Sequence, residues 1–200
     1  MNWFPRLVQL YMATERHYHT IDHPASMLQR YLKLVQKKKF ECDHSVFLAI
    51  WWHDAVYNPM AEKGCNEEDS ASLMMSSCPD ESYQDLSDAT LHIMATIEHQ
   101  PKTPKAAILC DLDLYELSAD WRIYLDNAAM VRQEFNHLDN DAWVRGRSDW
   151  LIGMLDRPQL FWSFAHTENL EAQARCNLES ELGVLDSGGY PYKTERLQKV

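Results

Sequence analysis

The stretch LAIWWHDAVYNP, residues 48–59, places a histidine and an aspartate side by side after a run of bulky apolar residues. Residues 44–57 repeat apolar side chains at helical spacing, which predicts a helix that packs into the core. Burying a carboxylate beside an imidazole is costly unless another group compensates its charge. Two interpretations follow for His53 and Asp54: a core histidine paired with its aspartate, or two ligands of a metal ion.

The composition is that of an ordinary globular protein. The chain has 200 residues, of which 46% are hydrophobic and 24% charged, and it is long enough to bury a sizeable core. Thirty acidic residues against nineteen basic ones give a net charge of −11, which disfavours a nucleic-acid polymer as partner. A small phosphorylated substrate stays compatible with this charge, because a metal ion can reverse the potential inside a pocket.

Cysteine usage and the apolar runs indicate a cytoplasmic protein. The five cysteines are odd in number and scattered, and they form no CxxC motif. This usage predicts reduced thiols rather than disulfides or a structural zinc site. The N-terminal residues lack the pattern of a signal peptide, and the apolar runs are too short to span a bilayer, so we expect no membrane association.

Apolar periodicity is helical nearly throughout, and no alternating strand pattern or internal linker appears. The expected helices cover residues 24–38, 44–57, 66–77, 82–98, 103–117, 119–136, 140–155 and 168–182. The sequence therefore predicts an all-α fold, with a single domain over residues 1–182 and a turn-rich tail over 183–200.

A second inward-facing histidine lies before the His53-Asp54 pair. His23 continues the apolar stripe of its helix through Met27, so its side chain points toward the core. His19 lies four residues earlier and is a weaker candidate. If Thr20 or Asp22 caps the helix, His19 falls in the preceding loop.

A third candidate segment contains Asp111 and Asp113 among Ile, Leu and Tyr residues. Both aspartates have apolar residues four positions away on either side, so periodicity does not choose between them. No lysine or arginine lies within one helical turn, and a metal ion would supply the missing positive charge. Imidazole and carboxylate ligands from three helices suit Mn, Fe, Co, Ni, Zn or Mg.

The order H…HD…D on an all-helical chain resembles the HD superfamily of metal-dependent phosphohydrolases, and in particular its small branch of predicted HD-type hydrolases. The resemblance spans residues 3 to about 118. The matching positions are, in order, Trp3, Leu7, Tyr11, Arg16, Tyr18, His19, His23, HD.VY.P at 53–59, NEEDSA at 66–71, IMATIEH at 93–99 and DLDLYEL at 111–117. Ser118 departs from the pattern, since relatives often have glycine there; we expect it to cap the next helix.

This resemblance implies an HD-type helical domain with extra C-terminal helices, and it implies the metal ligands. These are His23, His53 and Asp54, with Asp113 favoured over Asp111 as the last ligand. The implied activity is hydrolysis of a small phosphate ester by metal-activated water, with a nucleotide as the class that the superfamily most often implies. Nothing in the sequence selects a base or a sugar.

Other residues are candidates for the catalytic machinery or the pocket. Asp54, Glu67 or Glu68 would handle the proton of the attacking water, although acidic residues are also ordinary in a first helical turn. Arg16 and Lys63 are either phosphate contacts or solvated charges. We place His99 in the pocket as a single residue, because His92 is too far along the helix to share an ion with it.

Two other functions are compatible with the same fold. One is a di-iron oxygenase of HD type, which would need His19 and His99 as additional ligands. The other is a non-catalytic module that binds a ligand or a partner, which the intact set of four ligands disfavours. The aromatic-rich region after residue 118 either packs around the catalytic helices or forms the face of a homodimer.

Overall fold

The chain forms an all-α structure. The computed structural model describes residues 3–163 and 170–192, and within these ranges it contains α-helices, a short 3-10 helix and no β-strand. The α-helices are α1 Phe4–Tyr11, α2 Asp22–Gln36, α3 His44–Trp52, α4 Cys65–Ser77, α5 Tyr83–Ala95, α6 Pro104–Asp113, α7 Trp121–Glu134, α8 Asn140–Leu155 and α9 Leu170–Asp186. The predicted all-α fold class is confirmed. None of these helices combines the length and the apolar character needed to cross a bilayer.

Several helices end at other residues than the apolar periodicity predicted. The helix predicted over 44–57 ends at Trp52, and the one predicted over 82–98 ends at Ala95. The segment predicted as one helix through residue 117 is divided into α6 and a 3-10 helix, Leu114–Ser118. Apolar spacing marks which face is buried, but it does not mark where the backbone stops making i→i+4 hydrogen bonds.

Two predictions about caps and the tail are corrected. Ser118 does not cap the next helix: its hydroxyl donates to the Tyr115 carbonyl, and Asp120 occupies the N-cap position of α7. Helix α9 continues to Asp186, so the first residues of the predicted tail, 183–186, are helical. Residues 193–200 of that tail lie outside the described residues.

By compactness the chain divides into two units. The first comprises residues 1–113 and 161–167, and the second comprises 114–160 and 168–200. A compact unit need not fold independently, so the single domain over 1–182 stays a prediction.

Helix α3 is the centre of the first unit. Seven of its nine residues are buried, from Ser45 to Trp52 with only Phe47 partly exposed. It packs against α2, α4, α5 and α6, as a helix that is apolar on nearly all sides must. Helix α6 also packs against α2, and it is buried continuously over residues 106–112. The three helices that carry the predicted ligands therefore pack against one another.

The second unit contains a buried charge network. Glu181 has no solvent exposure, and Arg147 binds both of its carboxylate oxygens at 2.9 Å. The Tyr124 and Tyr192 hydroxyls donate to the same carboxylate. Burial raises the pKa of Glu181, but the Arg147 charge and these hydrogen bonds outweigh burial, so the pKa lies below its ordinary value.

We expect Glu181→Gln to destabilise the protein by about 3 to 5 kcal/mol near neutral pH, because the buried Arg147 loses its counter-charge. The contribution of Glu181 is complete above the ordinary carboxyl pKa of about 4.3 and is lost as the pH falls through its lowered pKa. The difference between wild type and variant should therefore narrow in acid. Urea unfolding followed by circular dichroism at about pH 7 and about pH 3 measures it.

Glu179→Gln is the matched control, because Glu179 lies two residues earlier on the same helix and is exposed. Its effect should stay within about 0.5 kcal/mol. Equal losses for the two variants at neutral pH would contradict the role assigned to Glu181.

Candidate metal centre

Four side chains of the first unit bring potential metal ligands together. His23 comes from α2, His53 and Asp54 from the end of α3, and Asp113 from the last residue of α6. One imidazole nitrogen or carboxylate oxygen from each side chain lies within 4.8 Å of all the others. This group, called the ligand cluster below, could hold a metal ion.

The distances within the ligand cluster are those of groups that converge on one point. His23 Nε2 lies 3.0 Å from Asp113 Oδ1, and His53 Nε2 lies 3.0 Å from Asp54 Oδ2. The two Nε2 atoms are 3.3 Å apart. The histidines are buried, whereas the aspartate side chains keep 17% of their exposure, so the carboxylate side of the cluster reaches solvent.

The backbone fixes which nitrogen of His53 faces the ligand cluster. His53 Nδ1 lies 3.0 Å from the Ile50 carbonyl oxygen, which can only accept a hydrogen bond. Nδ1 therefore carries a proton, and in the neutral ring the lone pair is on Nε2, which points at Asp54. An imidazole held in this way is the usual metal-binding form.

Mutual electrostatics keep the carboxylates ionised. Burial alone raises the pKa of Asp54 and of Asp113, but the histidines reverse the effect. His53 and His19 lower the pKa of Asp54, and hydrogen bonds from His23, His53 and His99 lower that of Asp113 well below its ordinary range. Two partly buried carboxylates with two buried imidazoles form a site of net negative charge, and this donor set fits a divalent transition metal ion.

Arg16 holds the turn that carries His53 and Asp54. Its Nη1 donates to the carbonyls of His19 and Asp54 at 2.9 and 2.8 Å, and its Nη2 donates to Ala55 O at 2.9 Å. Helix α3 ends at Trp52 with His53 at its C-cap, and the guanidinium binds the carbonyls of the next two residues, Asp54 and Ala55. The interpretation of Arg16 as a solvated charge is wrong, since it is only 7% exposed. Its bonds to the backbone favour a positioning role over a phosphate contact.

His19 and Lys63 differ in solvent exposure: His19 is partly buried and Lys63 is exposed. His19 lies in the loop before α2, although Ile21 and not Thr20 or Asp22 is at the N-cap position, and its ring stacks on Tyr57 with centroids 4.2 Å apart. Its ring centroid is 5.9 Å from that of His23, so it borders the ligand cluster. Lys63 is 68% exposed and forms an ion pair with Glu98.

The two glutamates at the start of α4 are placed differently. Glu67 is partly buried, and burial raises its pKa. The charges of Asp54 and Asp113 raise it further, so Glu67 lies within electrostatic reach of the ligand cluster. Glu68 is exposed on the same turn. Partial burial and the influence of these two charges favour Glu67 over Glu68 as the carboxylate that could act on a water at the cluster.

The structure separates the two aspartates of α6. Asp113 belongs to the ligand cluster, and its second oxygen lies 2.9 Å from His99 Nε2. Asp111 is fully buried and accepts hydrogen bonds from the backbone N–H groups of Trp162 and Ser163. His99 therefore lies at the site, whereas Asp111 binds backbone.

Two residues at the site were not among the sequence candidates. Ser70 is fully buried, and its hydroxyl exchanges hydrogen bonds with the N–H and C=O of Val56, beside the His53-Asp54 turn. It lies in the quoted NEEDSA motif, where a serine within a helix could have been singled out. Trp162 donates from Nε1 to the His99 carbonyl at 3.0 Å. Trp162 lies 63 residues after His99 in the chain, and no sequence pattern links the two positions.

No family model, curated protein or solved structure matches the chain. The geometry of the ligand cluster and the quoted motifs therefore carry the functional argument.

We expect Arg16→Met to destabilise the protein by about 3 kcal/mol or more, because it leaves three backbone carbonyls without their donor. Arg16→Lys should recover only part of the loss, since an ammonium cannot match the planar fork of a guanidinium. Urea unfolding measures both. Arg6→Met is the control, because Arg6 is exposed and donates to the Ser77 hydroxyl at 3.2 Å, and it should change stability by about 0.5 kcal/mol at most. An equally small effect for Arg16→Met would contradict the positioning role.

Metal affinity should fall as the pH is lowered. Burial lowers the pKa of His53, but the Asp54 charge and hydrogen bonds to Asp113 and Asp54 raise it more, so the net shift is upward. Metal binding must displace this proton, and the apparent affinity should rise with pH by up to about tenfold per unit. Co²⁺ titrations at about pH 6, 7 and 8 measure the slope.

The same titrations with His53→Ala and His44→Ala provide the test of specificity. His53→Ala should abolish stoichiometric Co²⁺ binding, whereas exposed His44, which pairs with Glu81, should be dispensable. Affinity that does not depend on pH, or loss of binding in both variants, would contradict this site.

Proposed function

We propose that the protein is a metal-dependent phosphohydrolase that acts on a small phosphate ester. The observation that carries the proposal is the convergence of His23, His53, Asp54 and Asp113 within 4.8 Å. These are the residues that the resemblance to the HD superfamily implies as ligands. A nucleotide is the substrate class that this resemblance favours, and the net charge of −11 disfavours a nucleic-acid polymer.

The four residues of the ligand cluster would hold the metal ion. When bound, a divalent ion supplies Lewis acidity, which lowers the pKa of water and polarises a phosphoryl oxygen. His53 presents Nε2 because its Nδ1 is bonded to Ile50 O, and Asp54 is kept ionised by its neighbours. The partly exposed carboxylate side of the cluster leaves room for water and substrate to approach.

Glu67 is the proposed general base. It is partly buried at the start of α4 and feels the charges of Asp54 and Asp113, which raise its pKa. A carboxylate with a raised pKa is a better proton acceptor near neutral pH than an ordinary one. Glu67 accepts the proton of the attacking water, while Asp54 remains a ligand.

Substrate phosphate is assigned to His19, whose imidazole borders the ligand cluster. The ring centroid of His19 lies 5.9 Å from that of His23. Arg16 is committed to backbone carbonyls, and Lys63 is paired with Glu98. We also propose that the protein is located in the cytoplasm, because its cysteine usage predicts reduced thiols.

The test is phosphate release from a panel of phosphate monoesters and nucleotides, each with Mn²⁺, Co²⁺ or Mg²⁺ added. Wild type should hydrolyse at least one class, and His53→Ala should not. Glu67→Gln should lower kcat about 100-fold or more, because it removes the proton acceptor. Glu68→Gln is the matched control on the same helical turn and should stay within about twofold of wild type.

The other outcomes identify other functions. Two irons per chain with oxygen consumption would indicate the oxygenase. Stoichiometric metal without hydrolysis of any ester would overturn the proposal in favour of a binding module. Equal losses in Glu67→Gln and Glu68→Gln would exclude Glu67 as the base.

A further inference from the structure

The two aspartates of α6 have divided roles. Asp113 directs Oδ1 toward His23 in the ligand cluster, at 3.0 Å. Asp111 is fully buried, with its two oxygens 2.7 Å from the N–H of Trp162 and 2.6 Å from that of Ser163. A buried carboxylate that accepts two backbone hydrogen bonds fixes the position of that backbone. Asp111 therefore places Trp162.

Trp162 in turn holds His99. The indole Nε1 of Trp162 donates to the His99 carbonyl at 3.0 Å. The backbone of His99 is left-handed, with φ 48°, a conformation that is uncommon in residues other than glycine. Two contacts constrain His99: the Trp162 indole holds its carbonyl, and Asp113 holds its imidazole.

His99 completes the path to the ligand cluster. Its Nε2 lies 2.9 Å from Asp113 Oδ2, the oxygen that does not face His23. An ionised carboxylate can rotate about its last bond, and a hydrogen bond to one oxygen fixes the direction of the other. His99 therefore determines where Asp113 Oδ1 points.

We propose that Trp162 and His99 are positioning residues for metal binding, which act through Asp113. The support chain Asp111–Trp162–His99 aligns the Asp113 carboxylate, and none of its three members needs to touch the metal ion. This inference rests on the metal site of the proposed function, but it does not depend on which reaction the metal serves.

The alternative role for His99 is that of a direct metal ligand. The four atoms that converge within 4.8 Å come from His23, His53, Asp54 and Asp113, whereas His99 Nε2 meets Asp113 at Oδ2, the oxygen that does not face His23. This geometry favours positioning, and the metal stoichiometry distinguishes the two roles.

The experiment compares Co²⁺ binding by wild type, His99→Ala, His99→Gln and Trp162→Phe. Its two readouts are the dissociation constant and the visible absorption spectrum of bound Co²⁺, which reports ligand geometry. His99→Ala should weaken binding about 10- to 100-fold and alter the spectrum at unchanged stoichiometry. His99→Gln should restore most of the affinity, because its amide N–H can donate to Asp113. Trp162→Phe, which keeps an aromatic ring but loses the indole N–H, should shift both readouts in the same direction by a smaller factor.

Trp150→Phe and His44→Ala are the controls, since both side chains are partly exposed and lie outside the support chain. Circular dichroism verifies that each variant keeps its helical content. Co²⁺ affinity and spectrum unchanged in His99→Ala would overturn the proposal, as would a Gln variant no better than Ala. If the wild type binds two Co²⁺ ions and His99→Ala binds one, His99 is a metal ligand. A wild type that binds no Co²⁺ would also overturn the proposal. Wild type that binds Co²⁺ but hydrolyses no phosphate ester would refute the proposed function alone.

Discussion

The constraint on which the first unit depends is the charge of two carboxylates held against two buried imidazoles. Asp54 and Asp113 stay ionised because histidines and hydrogen bonds surround them. The Asp54 charge and the hydrogen bonds to Asp113 and Asp54 raise the pKa of His53, which favours a proton on its ring as the compensating positive charge. A divalent ion can replace that proton, so the site that folding creates is already suited to a cation.

The backbone around this charge is held by side chains that are not ligands. Arg16 binds the Asp54 and Ala55 carbonyls, Ser70 binds Val56, and the Tyr11 hydroxyl donates to the Trp51 carbonyl. The chain leaves the helix at the His53-Asp54 pair, and these bonds replace the ones that the helix would have made. A turn fixed in this way holds its side chains more precisely than a free loop, which metal ligation requires.

The second unit solves a similar electrostatic problem without a metal ion. Glu181 is as buried as any ligand in the first unit, but Arg147 matches both of its oxygens and two tyrosines complete its hydrogen bonding. Its charges are neutralised by protein alone. In the ligand cluster the carboxylates contact histidines and not arginine or lysine. A metal ion can bind to these carboxylates and imidazoles together, which it cannot do with a guanidinium.

The sequence by itself determined the helical class, because apolar periodicity and the absence of alternating patterns are local properties. It also identified His23 and His53 as inward-facing ionisable groups, since each lies on an apolar stripe, and it identified Asp54 as the neighbour of His53. It did not separate Asp111 from Asp113, because both have apolar neighbours at helical spacing, and it extended α3 through the pair that in fact ends it. Arg16 and Trp162 act through hydrogen bonds to distant backbone, across 38 and 63 residues of chain. Only the tertiary structure decided these roles, because a hydrogen bond between segments far apart in sequence depends on how helices pack and leaves no periodic signal in either segment.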